Sequence, residues 1–198
     1  MTAVVAVDVP EDVRSTVAAR RIAASNEVAE RFFRDHADAI AQTCQAMAAR
    51  FERGGRLLIC GDDAQRSDVA HVVVEFVHPV VVGKRALTAL SLPAVANGAA
   101  QRVLSIVRRP DDMLMLLTAG ALDGTAQALL RMARDAGMLT LALTSDATNA
   151  VSRATDDHVF AVPSTDPYIV QETHEMLYHV LWELVHVFFD HRPRSRNT

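Results

Sequence analysis

Residues 56–76 read RLLICGDDAQRSDVAHVVVEF, and their order of events fixes the fold class. Arg56 to Cys60 is a short apolar strand running into Gly61, with Gly54-Gly55 as punctuation ahead of it. A helix carrying His71 and Glu75 follows and ends near Pro79. The same alternation repeats downstream. Strands are predicted at Ala86 to Leu92, Asp112 to Thr118, Met138 to Thr144 and His158 to Val162. Helices are predicted at Val95 to Val107, Gly124 to Ala136, Ala147 to Arg153 and Tyr168 to Phe188. Upstream, residues 11–53 read as two helices, opened by the acidic, proline-marked Pro10-Glu11-Asp12. Near-continuous apolar strands alternating with helices mean an α/β protein with a parallel sheet covered on both faces.

The bulk numbers fit that class and exclude others. With 198 residues the chain reads as one domain over 1–190 with a disordered tail at 191–198. Half of it is hydrophobic and little is aromatic. A net charge of −4 gives no general field for nucleic acid, so no nucleic-acid partner is expected. The basic cluster Arg192, Arg194 and Arg196 lies in the tail, where disorder is the plain reading. Cys44 and Cys60 have neither zinc-site nor disulfide-framework spacing. No apolar run approaches the ~20 residues of a membrane helix, and Ala3 to Val7 is too short for a signal peptide. The expectation is a soluble cytoplasmic protein without a membrane partner.

In open parallel sheets ligands sit beyond the carboxyl ends of the strands, which directs attention to Gly61–Gln65, Ser91–Asn97, Thr118–Asp123 and Thr144–Asp146. His71 and Glu75 are four apart and share a helix face. Taken alone they are what an exposed surface pair looks like. Gln171 and His179 lie on the last, strongly apolar helix. Imidazole, carboxylate and amide carbonyl all serve divalent metals, and Glu with His is a usable acid/base pair. His174 and His186 read as structural or exposed, His78 as a weak candidate neighbour of Glu75, and Cys60 as a buried small hydrophobe.

These pieces in this order resemble the SIS (sugar isomerase) domain, most closely the phosphoheptose isomerases, a group that includes replication-initiation accessory proteins. The likeness runs from the N-terminal helices to about Phe189. It rests on Cys60-Gly61, Asp68, His71, Glu75, Ala133 to Thr144 (ARDAGMLTLALT), Val162-Pro163-Ser164, Gln171-Glu172, His174 and His179. It implies a flavodoxin-like five-stranded parallel sheet flanked by helices, with the N-terminal helices in an oligomer interface. It further implies Glu75 as catalytic base, His179 as its acid partner, and zinc, or another divalent metal, held by His71, Glu75, Gln171 and His179. A homotetramer is implied as well.

The substrate-holding loops depart from that family. Its Gly-Asn-Gly-Gly-Ser loop is here Gly61-Asp62-Asp63-Ala64-Gln65, and its Ser-Thr-Ser-Gly-Asn-Ser loop is Leu117-Thr118-Ala119-Gly120-Ala121-Leu122. The family's Arg after the base position corresponds to Pro79. Gly61, Asp62, Asp63, Gln65, Thr118 and Gly120 are thus the expected remnants of a substrate pocket. Each lost charge-assisted hydrogen bond removes roughly 1.5–3 kcal/mol of phosphate binding. The sequence therefore favours a divergent metal-binding protein of this family, acting on or binding a small molecule or protein partner, with ordinary sugar-phosphate isomerisation lost. A phosphoheptose-type aldose–ketose isomerase with a remodelled phosphate site, and a non-catalytic scaffold, are the alternatives. On one helix Gln171 and His179 stand about 12 Å apart along the axis, so joint binding of one ion requires them to come from two subunits.

Overall fold

The computed structural model describes residues 11–79, 81–145 and 158–191. A long helix α1 (Glu11–Glu52) leads into β1 (Leu57–Gly61), and a 3-10 turn (Asp63–Gln65) runs straight into α2 (Arg66–Val77). Then follow β2 (Ala89–Ser91), α3 (Ala99–Val107), β3 (Met113–Leu117), α4 (Gly124–Asp135), β4 (Leu139–Ser145), β5 (His158–Val162) and α5 (Pro167–Asp190). The five strands form one sheet in the order β2-β1-β3-β4-β5, and every pairing is parallel. This is the flavodoxin-like order.

One expectation fails. Residues 11–52 form a single helix of 42 residues rather than two. No glycine or proline interrupts that stretch, so nothing in the backbone breaks it before Gly54 turns left-handed at φ +85°. The helix expected at 147–153 and the basic tail lie outside the described residues.

Alternation along the buried strands builds two cores. Leu57, Ile59, Met113, Met115, Leu141 and Phe160 face a layer made by α1, α2 and α5, while Leu58, Cys60, Leu114, Leu116 and Ala142 face α3 and α4. Phe32, Phe76 and Tyr178 are fully buried in the first core. A buried ion pair ties the amino ends of β1 and β3. The Asp112 carboxylate accepts from the Arg56 guanidinium at 2.6 Å and 3.0 Å, and from the backbone N–H groups of Arg56 and Arg109 at 3.0 Å each. With every donor in place, the cost of burying that charge is offset.

α2 and α5 lie side by side in the first layer, and the amino end of α5 is set by Asp166. Its carboxylate caps the N–H groups of Tyr168 and Ile169 and takes Arg21 of α1 at 2.7 Å. This pairing of α2 with α5 positions the chemistry. No helix among the described residues is long and apolar enough to cross a membrane.

Candidate active site

Three of the expected residues meet in the groove between α2 and α5. Glu75 presents Oε1 to two imidazoles, 3.3 Å from His71 Nε2 and 3.9 Å from His179 Nε2. The two rings stand edge to face with centroids 5.2 Å apart. Glu75 is the most enclosed of the three, its side chain 16% exposed against 37% for His71 and 43% for His179. The helix spacing explains the meeting. Asp68, His71 and Glu75 follow one another along one flank of α2 and face Gln171, Glu175, Tyr178 and His179 of α5.

Two residues of this constellation escaped the sequence reading. Tyr178 is fully buried, and its hydroxyl lies 2.9 Å from His71 Nδ1. Burial first, then the carboxylates of Glu175, Asp68 and Glu75, push its pKa up, so the phenol keeps its proton. Donating that proton to Nδ1 leaves the His71 proton on Nε2, facing the Glu75 carboxylate, the one neutral tautomer that satisfies both contacts. Glu175 brings Oε1 to 3.8 Å from His71 Nδ1. One ligand atom each of His71, Glu175 and His179 lie within 4.8 Å of one another. The available signal was spacing, since Glu175 stands four residues from both Gln171 and His179 and so shares their face.

Gln171 does not join the others within one chain. Its amide Nε2 donates to both oxygens of Asp68, at 3.2 Å and 3.1 Å, two turns along α5 from His179. Burial raises the Asp68 pKa, the Gln171 hydrogen bond partly offsets this, and nearby Glu175 adds to the rise. In donor chemistry the groove fits a divalent ion, with two imidazoles and two carboxylates on facing helices.

The loops at the carboxyl ends of β1 and β3 are arranged differently. Asp62 Oδ1 accepts from the backbone N–H groups of Ala64 and Gln65 at 2.9 Å and 3.1 Å, and Oδ2 takes the Thr118 hydroxyl at 3.0 Å. The Thr118 oxygen in turn accepts from Gly120 N–H. The Asp62 carboxylate thus draws in the donors of both loops. Asp63 pairs with Arg66 at 2.9 Å. Gln65, expected in the pocket, is instead buried, and its Oε1 has no partner among the described residues. Gly61 is needed for close approach, because a Cβ there would lie 2.9 Å from both Gln65 Cβ and the Leu117 carbonyl oxygen. A cavity of about 250 Å³ opens beside Asp62, bounded by Arg66, Val69 and Ala70 on α2 and by Ser91 and Leu92. A second, of about 520 Å³, lies in the α2–α5 groove against Glu75, His179, Trp182 and Glu183.

The remaining candidates lie outside the groove's constellation. His174 is buried, donates through Nε2 to the Thr144 carbonyl, and has its pKa lowered to about 4 by burial. His186 is buried between the Trp182 and Arg85 carbonyls. His78 is exposed. Burial pushes the Cys60 thiol up to about 12, which keeps it from reacting as a thiolate.

No family profile matches the chain. Curated relatives do. The phosphoheptose isomerase of Thermodesulfovibrio yellowstonii is 30% identical over 175 residues, covering 81% of this chain and 86% of the relative. That of Solidesulfovibrio magneticus is 30% identical over 173 residues, covering 81% and 84%. Among solved structures, the phosphoheptose isomerase of Neisseria gonorrhoeae superposes with a TM-score of 0.74 at 20% identity, over 87% of this chain and 98% of that one. The enzyme from Francisella tularensis gives 0.68 at 22% identity, over 86% and 98%. At such identities the structures speak for the fold.

Proposed function

The chain belongs to the phosphoheptose isomerase family, and from that membership we propose that it is an aldose–ketose isomerase whose acid/base groove works while its phosphate end has been rebuilt. The observation that carries this reading is the Glu75 carboxylate set between the imidazoles of His71 and His179 on two rigid helices. Glu75 takes the proton from the carbon beside the carbonyl and returns it to the neighbouring carbon. His179 protonates the carbonyl oxygen and recovers its proton from the neighbouring hydroxyl as that carbon becomes the new carbonyl, and His71, held by Tyr178, stands beside Glu75. A divalent ion held by the groove's donors would polarise the sugar oxygens. The relatives favour this isomerase over a protein that has lost turnover.

The rebuilt end rests on Asp62. Its carboxylate uses the N–H groups and hydroxyl that a phosphate would need, and adds like charge in the same place. The substrate we assign is therefore a sugar of the same backbone chemistry whose far end is not gripped as a phosphate. The same observation favours a second reading, a metalloprotein that binds a ligand without turning it over.

The working form we propose is a homo-oligomer, with the tetramer as the family's arrangement. Val13, Val17 and Ile22 on α1 and Met176 on α5 are exposed apolar side chains that support it. So does the placement of the two cavities. Arg66, Val69 and Ala70 turn to the loop cavity, whereas Asp68, His71 and Glu75 turn to α5, so in one chain the two lie on different flanks of α2.

The test is an isomerisation assay on metal-loaded protein with sedoheptulose 7-phosphate and with sedoheptulose as probes. Saturable turnover that disappears in Glu75→Gln supports the proposal. Absence of turnover with both would overturn it in favour of the second reading.

A further inference from the structure

We infer that the sugar carries an apolar group at its far end, a deoxygenated or alkylated terminus, and that this end seats in the cavity lined by Trp182, Val81 and Val187. The inference rests on the isomerase reading and deepens it, naming the substrate class that the rebuilt phosphate end leaves open.

α2 and α5 run side by side in the same sense, with Asp68 against Gln171 and Glu75 against His179. Both helices lead away from the Asp62 loops, and Glu75 lies about 14 Å along α2 from Arg66. The cavity of about 520 Å³ begins at Glu75 and His179 and continues in that direction. On α5 its wall is His179, Glu183 and Val187, which recur at helical spacing over about 12 Å. A substrate whose reacting carbons meet Glu75 and His179 can thus extend into it without reaching Asp62. The volume is in the range of small-molecule sites.

The lining selects an apolar occupant. Trp182 offers an indole, and Val81 and Val187 stand 47% and 38% exposed beside it. Val82, the next residue of the same turn, is fully exposed, so apolar surface continues at the border of the cavity. The cation in the lining, Lys84, is already held by Asp190 at 2.6 Å, and Glu183 adds negative charge. An anionic terminus therefore finds no free partner among these residues and meets like charge. An indole suits the C–H groups of a carbon chain. The two ends of the groove agree: Asp62 disfavours an anion at one, and the other offers apolar surface.

Trp182 is the chain's sole tryptophan, so its emission reports occupancy of the cavity and needs no turnover. The metal-loaded full chain is titrated with sedoheptulose, sedoheptulose 7-phosphate, 7-deoxysedoheptulose and 7-O-butylsedoheptulose, and the same sugars are assayed for isomerisation. Each buried CH₂ is worth about fourfold in affinity, so the 7-deoxy sugar should bind about fivefold more tightly than sedoheptulose and the butyl ether more tightly still. Both should shift the Trp182 emission. Val81→Asp and Val187→Asp change partly exposed positions outside the acid/base pair, and circular dichroism establishes that each is folded. They should abolish the preference and leave turnover of sedoheptulose unchanged. Equal affinity for the unphosphorylated sugars, tightest binding of the 7-phosphate, or a preference that survives both variants would each overturn the inference. So would an emission change that follows protein concentration alone, which would place a second copy in the cavity. Apolar-ended sugars bound as described but never isomerised would sink the isomerase reading and leave this site intact. Isomerisation of sedoheptulose with no apolar preference would do the reverse.

Discussion

The groove between α2 and α5 and the loops at the carboxyl ends of β1 and β3 meet the same helix, yet the chain has treated them in opposite ways. In the groove the chemistry resides in side chains, and Glu75, His71 and His179 stand together with a buried tyrosine behind them. In the loops the polar groups are backbone N–H groups and a hydroxyl, and one carboxylate, Asp62, has collected them. The difference teaches that donors offered by two loops can be taken up by the carboxylate of a single residue. A side-chain constellation on two packed helices changes only by losing its members.

The largest effect should come from breaking the groove. Glu75→Gln keeps the size of the side chain and removes its charge, and should cost about 10²–10⁴ in kcat with the fold unchanged by circular dichroism. Equal turnover in the variant would leave the groove without its assigned role.

Acid should attack the link between α5 and the sheet. Folding lowers the His174 pKa from 6.5 to about 4. Between those values the unfolded chain binds a proton that the folded chain refuses, so stability falls as pH drops through this window. The contribution is about 3 kcal/mol at most, and it should vanish from urea-unfolding curves of His174→Gln, whose acid limb becomes flatter.

Reopening the loops is a smaller change. Asp62→Asn keeps a capping oxygen and removes the charge, and should tighten binding of inorganic phosphate by roughly tenfold, or about 1.4 kcal/mol, in calorimetry. No gain would mean that Asp62 is not what bars the anion. The smallest effect is expected at Asp68, whose charged form is disfavoured first by burial. Asp68→Asn should leave thermal stability at neutral pH unchanged or raised, by no more than about 1 kcal/mol. A clear fall in Tm would show that the charge on Asp68 helps to hold Gln171.

Much of this was legible in the sequence for definite reasons. Leu57 to Gly61 and its apolar successors have no polar face, which leaves only a sheet buried on both sides. His71, Glu75 and His179 could be brought together on helix spacing and family likeness. What the sequence hid were matters of packing between elements. The register of α2 against α5 put Gln171 on Asp68 rather than beside His179, and it brought Glu175 and Tyr178 into the groove. Asp62 could be read as a misplaced charge, but not as an acceptor bridging two loops, because its partner Thr118 is 56 residues away. The single helix α1 was missed because a long run without breakers was divided where no residue required it.

The central claim, a working groove beside a closed phosphate cradle, is tested most directly by the ratio of kcat/KM for sedoheptulose 7-phosphate to that for sedoheptulose on the metal-loaded wild-type protein. The account predicts measurable turnover of the unphosphorylated sugar and a ratio within about tenfold of one. A ratio of a hundred or more would show that phosphate binding still supplies the energy for catalysis, contradicting the role given to Asp62, and no turnover of either sugar would contradict the role given to Glu75.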